Sequence, residues 1–424
     1  MSDTHQAIES VWKIESTRLI AGIARVTRDV GIAEELAQDA LVTALERWPG
    51  EGIPENPAAW LMTAAKRCAI DALRRGRMME LKHGEMAREL ELRQQRLGEA
   101  MDRALDQVID DDVLRLIFTA CHPVLAVEGR VALTLRLACG LTTAEIARSF
   151  LVPEKTLGQR IFRAKKALSE AQVPFETPRG EELRKRVESV LSVVYLIFNE
   201  GYTATVGDEW MRAALCDDAL RLGRLLAHLL PDEPEVHGLL ALMELQASRT
   251  AARRGPAGAA VLLSEQDRSL WDHAQIQRGM AALTRAQGLG GGARSYGLQA
   301  AIAACHARAD TAAETDWKQV VILYDALLAV RPSPIVALNR AVAVGMAHGP
   351  AAGLHALEGL AAEPALANYH LLPSVRGDLL AKLGRDAEAR EELQRALAMT
   401  DNVREQELLS KKLFRSKQKK SRPL

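Results

Sequence analysis

Between residues 154 and 168, in EKTLGQRIFRAKKAL, the cations Lys155, Arg160, Arg163, Lys165 and Lys166 stand around Gln159, and the single carboxylate of the run is Glu154. Arginine and glutamine can each make paired hydrogen bonds to a base edge, guanine for one and adenine for the other, while lysine holds phosphate as a point charge. Leu157, Ile161, Ala164 and Leu168 recur at i, i+4, i+7 and i+11, which is one apolar stripe of a helix. With successive side chains turning about 100°, Lys155, Gln159, Arg163 and Lys166 fall opposite that stripe, flanked by Thr156 and Arg160. The chemistry within reach is recognition of duplex DNA; taken alone, the pattern also suits an ordinary solvated helix face.

A second group of side chains lies in NPAAWLMTAAKRCAIDALRRGR, residues 56–77. Ala58, Met62, Ala65, Ala69 and Leu73 share the inward side of a helix. Trp60, Thr63, Arg67, Asp71 and Arg74 share the outward side, with Lys66 beside them. An outward indole among guanidinium groups can stack on unpaired bases while the cations hold the strand's phosphates. Packing of Trp60 beneath the neighbouring GEGIPENP loop is the plainer alternative. In AEELAQDALVTALERW (33–48), Ala33, Ala37, Ala40, Leu41, Ala44 and Trp48 form one side, and Glu35, Asp39, Val42 and Glu46 the other. An acidic stripe with an apolar residue inside it repels DNA and suits a basic protein partner, although a solvated acidic face has the same pattern.

The elements that must position these residues are helices throughout. The chain has 424 residues, too many for one core, with 48% hydrophobic and only 4% aromatic residues. Alternating Val/Ile/Thr/Tyr runs are missing and helical periodicity continues to the end, so an all-α fold is expected. In LTTAEIARSFLVPEKTLGQRIFRAKKAL (141–168), Thr142 or Thr143 can cap a first helix with Ile146, Ala147 and Phe150 buried. Pro153 opens a second helix, which completes a helix-turn-helix, with Leu151 where glycine is common in the turn. Pro and Gly punctuate 47–57, 172–182, 229–236, 253–258, 288–297 and 330–334. The charged, Met-rich stretch 77–107 suits a tether between two small helical domains. Beyond residue 180 the pattern that begins at Gly349 (HGPAAGLHALEGL) returns at Gly384 (LGRDAEAREELQRAL), 35 residues later, as in stacked tetratricopeptide-like hairpins.

The formal net charge is +0, so any contact with nucleic acid must come from local patches. The polar start MSDTHQAIES and the lack of an apolar run near 18 residues predict neither a signal peptide nor a membrane span. Cys68, Cys121, Cys139, Cys216 and Cys305 form no CxxC pair, which fits unpaired thiols in a cytoplasmic protein. ACHP (120–123) offers two adjacent metal donors, too few for a zinc site, and GLGGGARSYG has neither the strand nor the lysine of a phosphate loop. No nucleophile–base or metal constellation stands out, so neither enzymatic activity nor a cofactor is expected. The tail KKLFRSKQKKSRPL carries seven basic residues and no acidic one.

The order of these pieces resembles the bacterial extracytoplasmic-function sigma factors, the sigma-70-type promoter-specificity subunits reduced to regions two and four. AIDALRR and the helix-turn-helix carry the family's wording. LRLIFTACHPVLAVEGRVALTLRLACGL (114–141), LIFNEGYTAT (196–205), EQDRSLWD (265–272) and TDWKQVVILYDALL (315–328) are similar to the subgroup with a long helical C-terminal extension. The resemblance implies region two at 8–77, a linker at 78–107, region four at 108–172, a tetratricopeptide-like regulatory extension at 180–415 and a basic tail at 416–424. By position, Glu35, Asp39, Val42 and Glu46 would dock on the β′ clamp helices of core RNA polymerase, with the β flap as a further contact. Trp60, Thr63, Lys66, Arg67 and Arg74 would open and read the −10 element. Lys155, Thr156, Gln159, Arg160, Arg163 and Lys166 would lie in the −35 major groove. Asn199, Glu200 and Tyr202, in NEGY, are candidates for a contact between extension and sigma core, or simply a capped helix end. The extension would take a protein or peptide ligand and modulate the factor in cis. The rival reading is a stand-alone helix-turn-helix regulator, binding an operator as a dimer, with a protein-binding helical repeat; it leaves the acidic helix and the Trp/Arg helix without a role.

Overall fold

The structure, a computed structural model, describes residues 3–57, 59–65, 67–68, 110–150, 152–203, 211–253, 255, 261–367, 369–400 and 403–418. Among these residues all regular structure is helical and no strand occurs. They form two compact units, Met1–Leu196 and Ile197–Leu424. No helix among the described residues is long and apolar enough to cross a membrane. The linker 78–107 and Leu151 lie outside the described residues.

In the first unit α1 (Asp3–Thr27) packs on α2 (Val30–Glu51), and α3 covers 59–65. Asp29 caps α2: its Oδ1 accepts hydrogen bonds from the Gly31 and Ile32 amides at 2.7 and 3.0 Å. Ala33, Ala37, Ala40 and Ala44 are fully buried, small enough to admit α1 closely. The helix does not stop at the punctuation expected from residue 47; it runs through Pro49 to Glu51 and ends at Gly52, with φ at 85°. Proline sits here in the last turn, where its missing amide removes a single helical bond. Four helices follow the linker: α4 (Asp110–Ala120), α5 (Val127–Ala138), α6 (Thr143–Phe150) and α7 (Glu154–Glu170). α4 and α5 rest on α1, and α7 packs on α5, α6 and α2.

Buried polar groups tie these elements together. Glu34 of α2 is 4% exposed and accepts from Arg136 of α5, Nε at 2.8 Å and Nη2 at 2.7 Å, and from Lys165 of α7. Asp112 is fully buried and pairs with Arg25 of α1 at 3.1 Å and Arg115 at 2.8 Å. The Thr17 hydroxyl donates to the Ala138 carbonyl at 3.1 Å. The first part of α8 (Gly180–Tyr202) belongs to this unit as well. Arg186 Nη2 donates to the Phe118 carbonyl at 2.6 Å, and Ser189 Oγ donates to the Cys121 carbonyl at 2.7 Å. The break at 172–182 therefore falls before the end of the compact unit, because Arg186 and Ser189 beyond it satisfy carbonyls of α4 and the turn after it.

The second unit continues with α9 (Ala213–Leu229), α10 (Pro234–Ala247), α11 (His273–Gly288), α12 (Ser295–Arg308), α13 (Trp317–Val330) and α14 (Pro334–His348). It ends with α15 (Pro350–Ala356), α16 (Leu371–Lys382), α17 (Asp386–Ala398) and α18 (Val403–Gln418). Most of these helices pack on their sequence neighbours. The α14–α15 and α16–α17 pairs cross at glycine: a Cβ on Gly353 would lie 2.7 Å from Gly345 Cα, and one on Gly377 2.9 Å from Leu393 Cγ. Gly349 and Gly384, where the repeated pattern starts, turn the chain with φ at 94° and 76°.

Burial alone would raise the Glu34 carboxyl, but the Arg136 and Lys165 charges outweigh it and hold its pKa below the ordinary 4.5. A depressed pKa contributes stability that is present above 4.5 and lost as pH falls through the lower folded-state value. Glu34→Gln should cost roughly 2–3 kcal/mol at pH 7, less than a fully enclosed pair because Arg136 and Lys165 keep some solvent. It should also flatten the acid limb of stability. Urea melts of both proteins from pH 7 to pH 3 check this; parallel acid limbs would refute it.

Candidate nucleic-acid interface

The local sequence builds a helix-turn-helix by ordinary means. Thr142, of the two candidate caps, closes α6: its Oγ1 accepts from the Glu145 amide at 3.1 Å, and Glu145 Oε2 accepts from the Thr142 amide at 2.8 Å. This reciprocal pair satisfies two donors that a helix start leaves open. Ile146 and Ala147 are buried on α6, and Leu157, Ile161, Ala164 and Leu168 on α7, so the expected stripe is the packed one. Phe150, expected inward, is half-buried. Pro153 stands just before α7, whose first helical residue is Glu154.

Opposite the stripe, Lys155, Gln159, Arg163 and Lys166 are exposed, and Thr156 and Arg160 are half-buried flanks. Lys166 reaches Glu170 at 3.5 Å in a solvent-exposed pair of little energetic weight. Lys165, by contrast, turns inward to Glu34, so the five cations of the run divide by one helical step into a structural one and four that face or flank the open side. Sequence reasoning missed Phe162, which is 67% exposed and sits between Gln159 and Lys166 on the open face. The signal was present, since position 162 falls away from the apolar stripe. An open aromatic beside hydrogen-bonding groups can meet the methyl group of thymine.

On α2, Glu35, Asp39 and Glu46 are exposed and Val42 is 52% exposed. Ile32, 49% exposed, extends the same face by one turn and was not foreseen. Glu34 and Glu35 differ by one helical step and lie on opposite sides of that geometry, one buried and paired, one in solvent. On α3, Asn56 caps the start, its Oδ1 accepting from the Ala59 amide at 3.1 Å, with Pro57 next to it. Met62 and Ala65 are buried as expected, joined by Leu61 and Ala64. Thr63 and Arg67 are exposed. Trp60, expected to stand outward, is half-buried, with its ring edge against Trp48 at 5.3 Å between centroids. The buried Trp48 ring offers it apolar cover that solvent cannot. The Lys66 side chain, Ala69, Asp71, Leu73 and Arg74 lie outside the described residues.

The NEGY group finds its partners inside the second unit. Glu200 pairs with Arg212. Tyr202 stacks on Phe198 at 5.5 Å and carries the Arg253 guanidinium 3.5 Å over its ring. Asn199 accepts a backbone bond from the Thr203 amide at 2.8 Å. In ACHP, Cys121 is fully buried beside Thr134 at 3.2 Å, and burial pushes its thiol up to about 11.

Comparison with known proteins gives three family matches. Residues 15–78 match Sigma-70 region 2, residues 115–168 match Sigma-70, region 4, and residues 186–287 match a family of unknown function, DUF6596. The chain is 43% identical over 387 residues to an uncharacterized protein of Rhizobium meliloti (strain 1021), covering 91% of this chain and 90% of that protein. It is 30% identical over 159 residues to the ECF RNA polymerase sigma factor SigK of Mycobacterium ulcerans (strain Agy99), covering 36% of this chain and 78% of that protein. No solved structure matches.

Removing an exposed side chain from the open face of α7 should leave the fold untouched and change DNA recognition. Arg163→Ala and Gln159→Ala should each lose about 1–3 kcal/mol at one base position. Phe162→Ala should keep its stability within about 0.5 kcal/mol while losing preference at a thymine. Selection of bound duplexes from a randomised library, with thermal melts alongside, measures both. Unaltered base preference in all three variants would remove this face from recognition.

Proposed function

The chain belongs to the sigma-70 family of RNA polymerase sigma factors, and from that premise we propose how its surfaces divide the work of starting transcription. It binds core RNA polymerase and promoter DNA and acts in transcription initiation. Lys155, Thr156, Gln159, Arg160, Arg163 and Lys166 read the −35 element in its major groove. Trp60, Thr63, Lys66, Arg67 and Arg74 open and hold the −10 element. Glu35, Asp39, Val42 and Glu46 dock on the β′ clamp helices, and region four meets the β flap. The observation that carries this reading is the segregation of faces in one unit: an exposed acidic stripe on α2 and an exposed cation-and-glutamine face on α7.

The contact of α2 with α7 adds a mechanical requirement. Elements named −10 and −35 lie roughly 25 base pairs apart, about 85 Å along the duplex axis. A unit in which the acidic helix touches the DNA-reading helix cannot reach both, so the Glu34 contacts with Arg136 and Lys165 give way when the factor engages polymerase and promoter. Glu34→Gln then lowers the cost of opening. The extension from 180 to 415, a tetratricopeptide-like groove for a protein or peptide, modulates the factor in cis and is required for full activity. Support for that sign comes from Val193 and Val194, buried at the end of the first unit, and Ile197 and Phe198, buried at the start of the second, all of which a cut near 180 would remove.

Run-off transcription with core polymerase tests the reading: the full chain should direct specific starts that core enzyme alone does not. Glu35→Lys with Asp39→Lys should weaken capture of core polymerase at least tenfold while circular dichroism stays unchanged; normal capture by the folded double variant would refute the assignment of that face. A chain ending at Thr203 keeps the polar bonds of Arg186 and Ser189, and should remain soluble yet transcribe poorly. Full activity of that soluble chain would end the case for modulation in cis.

A further inference from the structure

Three stretches singled out in the extension, NEGY, EQDRSLWD and TDWKQVV, meet in the second unit around Arg249. Tyr202 comes from the first, Arg268 and Trp271 from the second, Thr315 and Trp317 from the third. The Arg249 guanidinium lies 5.8 Å from the Tyr202 ring and 5.8 Å from the Trp271 ring. Arg268 lies 4.8 Å over the same Trp271 ring, and Arg253, 5% exposed, 3.5 Å over Tyr202.

Two of the guanidinium charges here lack a paired carboxylate. Among the described residues neither Arg249 nor Arg268 makes an ion pair, and Arg249 makes no side-chain hydrogen bond. Arg268 has structural work: it donates to the His306 carbonyl at 2.5 Å and to the Ala309 carbonyl, closing the end of α12, and to Thr315 Oγ1 at 3.3 Å. Glu314 and Asp310 act on Arg268 from a distance only. Arg249 has no such work and is flanked by like charges. Burial first, then the Arg249 and Arg268 charges, push the buried His306 ring down to about 4, which makes it neutral at pH 7.

Donors accumulate without acceptors in the same place. Arg249 Nε, Arg268 Nε, Trp271 Nε1 and Trp317 Nε1 are buried donors with no hydrogen-bond partner. Such atoms are costly and rarely gather by accident. The aromatic rings ease the guanidinium charges through their faces, but they leave every one of these donors unused.

We propose that Arg249, with Trp271 and the Arg268 guanidinium beside it, forms a binding site for a phosphate-bearing small molecule. A phosphate group brings three acceptor oxygens and up to two charges, which suits several converging donors better than a carboxylate with two oxygens and one charge. Arg249 and Arg268 are half-buried, so part of each side chain meets solvent at the edge of the site. The proposal names a ligand class for the extension and does not depend on whether the extension modulates transcription, because binding is measured without polymerase.

Isothermal titration of the full chain, at fixed ionic strength, uses inorganic phosphate, pyrophosphate and adenosine 5′-monophosphate as probes and citrate as the carboxylate control. We expect saturable binding of at least one phosphate probe, one per chain. It should weaken at least tenfold in Arg249→Met and several-fold in Trp271→Phe, which removes the indole N–H and keeps a smaller aromatic ring under the guanidinium groups. Arg340→Ala, which removes only a surface ion pair with Asp325, should bind as the parent does. Thermal melts without ligand show whether each variant is folded, and Arg249→Lys, which keeps the charge and loses the fork, should bind between parent and Met variant. No saturable binding of any phosphate probe, equal binding of citrate, or undiminished binding in folded Arg249→Met and Trp271→Phe would overturn the proposal.

Discussion

The first unit depends on one buried carboxylate. Glu34 is held by Arg136 and Lys165, side chains 102 and 131 residues further along the chain, and so joins α2 to α5 and α7. Removing a carboxylate from water is unfavourable unless cations and donors surround it, and here both oxygens are engaged. Satisfying Glu34 fixes which way two helices face. With position 34 inside α2, positions 35, 39, 42 and 46 must lie outside. With Lys165 turned toward Glu34, Gln159 and Arg163 must point elsewhere. The two candidate recognition faces are therefore consequences of the same ion pair.

Much of this was legible in the sequence because it is periodic. The apolar stripe of α7, the alanine side of α2 and a threonine cap at 142 or 143 follow from spacing, and the structure assigns the cap to Thr142. What periodicity could not supply is the partner of a charge. Glu34 and Glu35 look alike in AEEL, and Lys165 and Lys166 look alike in AKKA; only packing against α5 separates the buried member from the solvated one. Trp60 shows the same gap. Its helical angle points outward, yet Trp48, at the end of a different helix, lies close enough to shelter it.

Boundaries were harder to read than helices. Pro and Gly mark where a helix stops, but not where a compact unit closes. α8 begins after a clear Pro/Gly break, but the guanidinium of Arg186 and the hydroxyl of Ser189 close carbonyls at the end of α4 and just beyond. A helix can satisfy another element's backbone from across a break, and nothing in local composition records it. The glycine crossings in the second unit were more accessible: small residues spaced to repeat at Gly349 and Gly384 accompany the close contacts at Gly345, Gly353 and Gly377.

A formal net charge of zero sums the whole chain and says nothing of any one surface. The structure shows why the sum is the wrong quantity. Fields fall off within about 8–10 Å at physiological salt, so a partner senses the patch it meets and little of the remainder. In the first unit the acidic stripe of α2 and the open cations of α7 occupy separate helices, while the charges that would blur them, Glu34, Lys165 and Arg136, neutralise one another inside. In the second unit Arg249 and Arg268 have no paired carboxylate among the described residues, while surface pairs such as Asp325 with Arg340 and Glu388 with Arg385 cancel locally. Neutrality over the whole chain is thus compatible with one acidic and two basic surfaces, each set by what is paired beneath it.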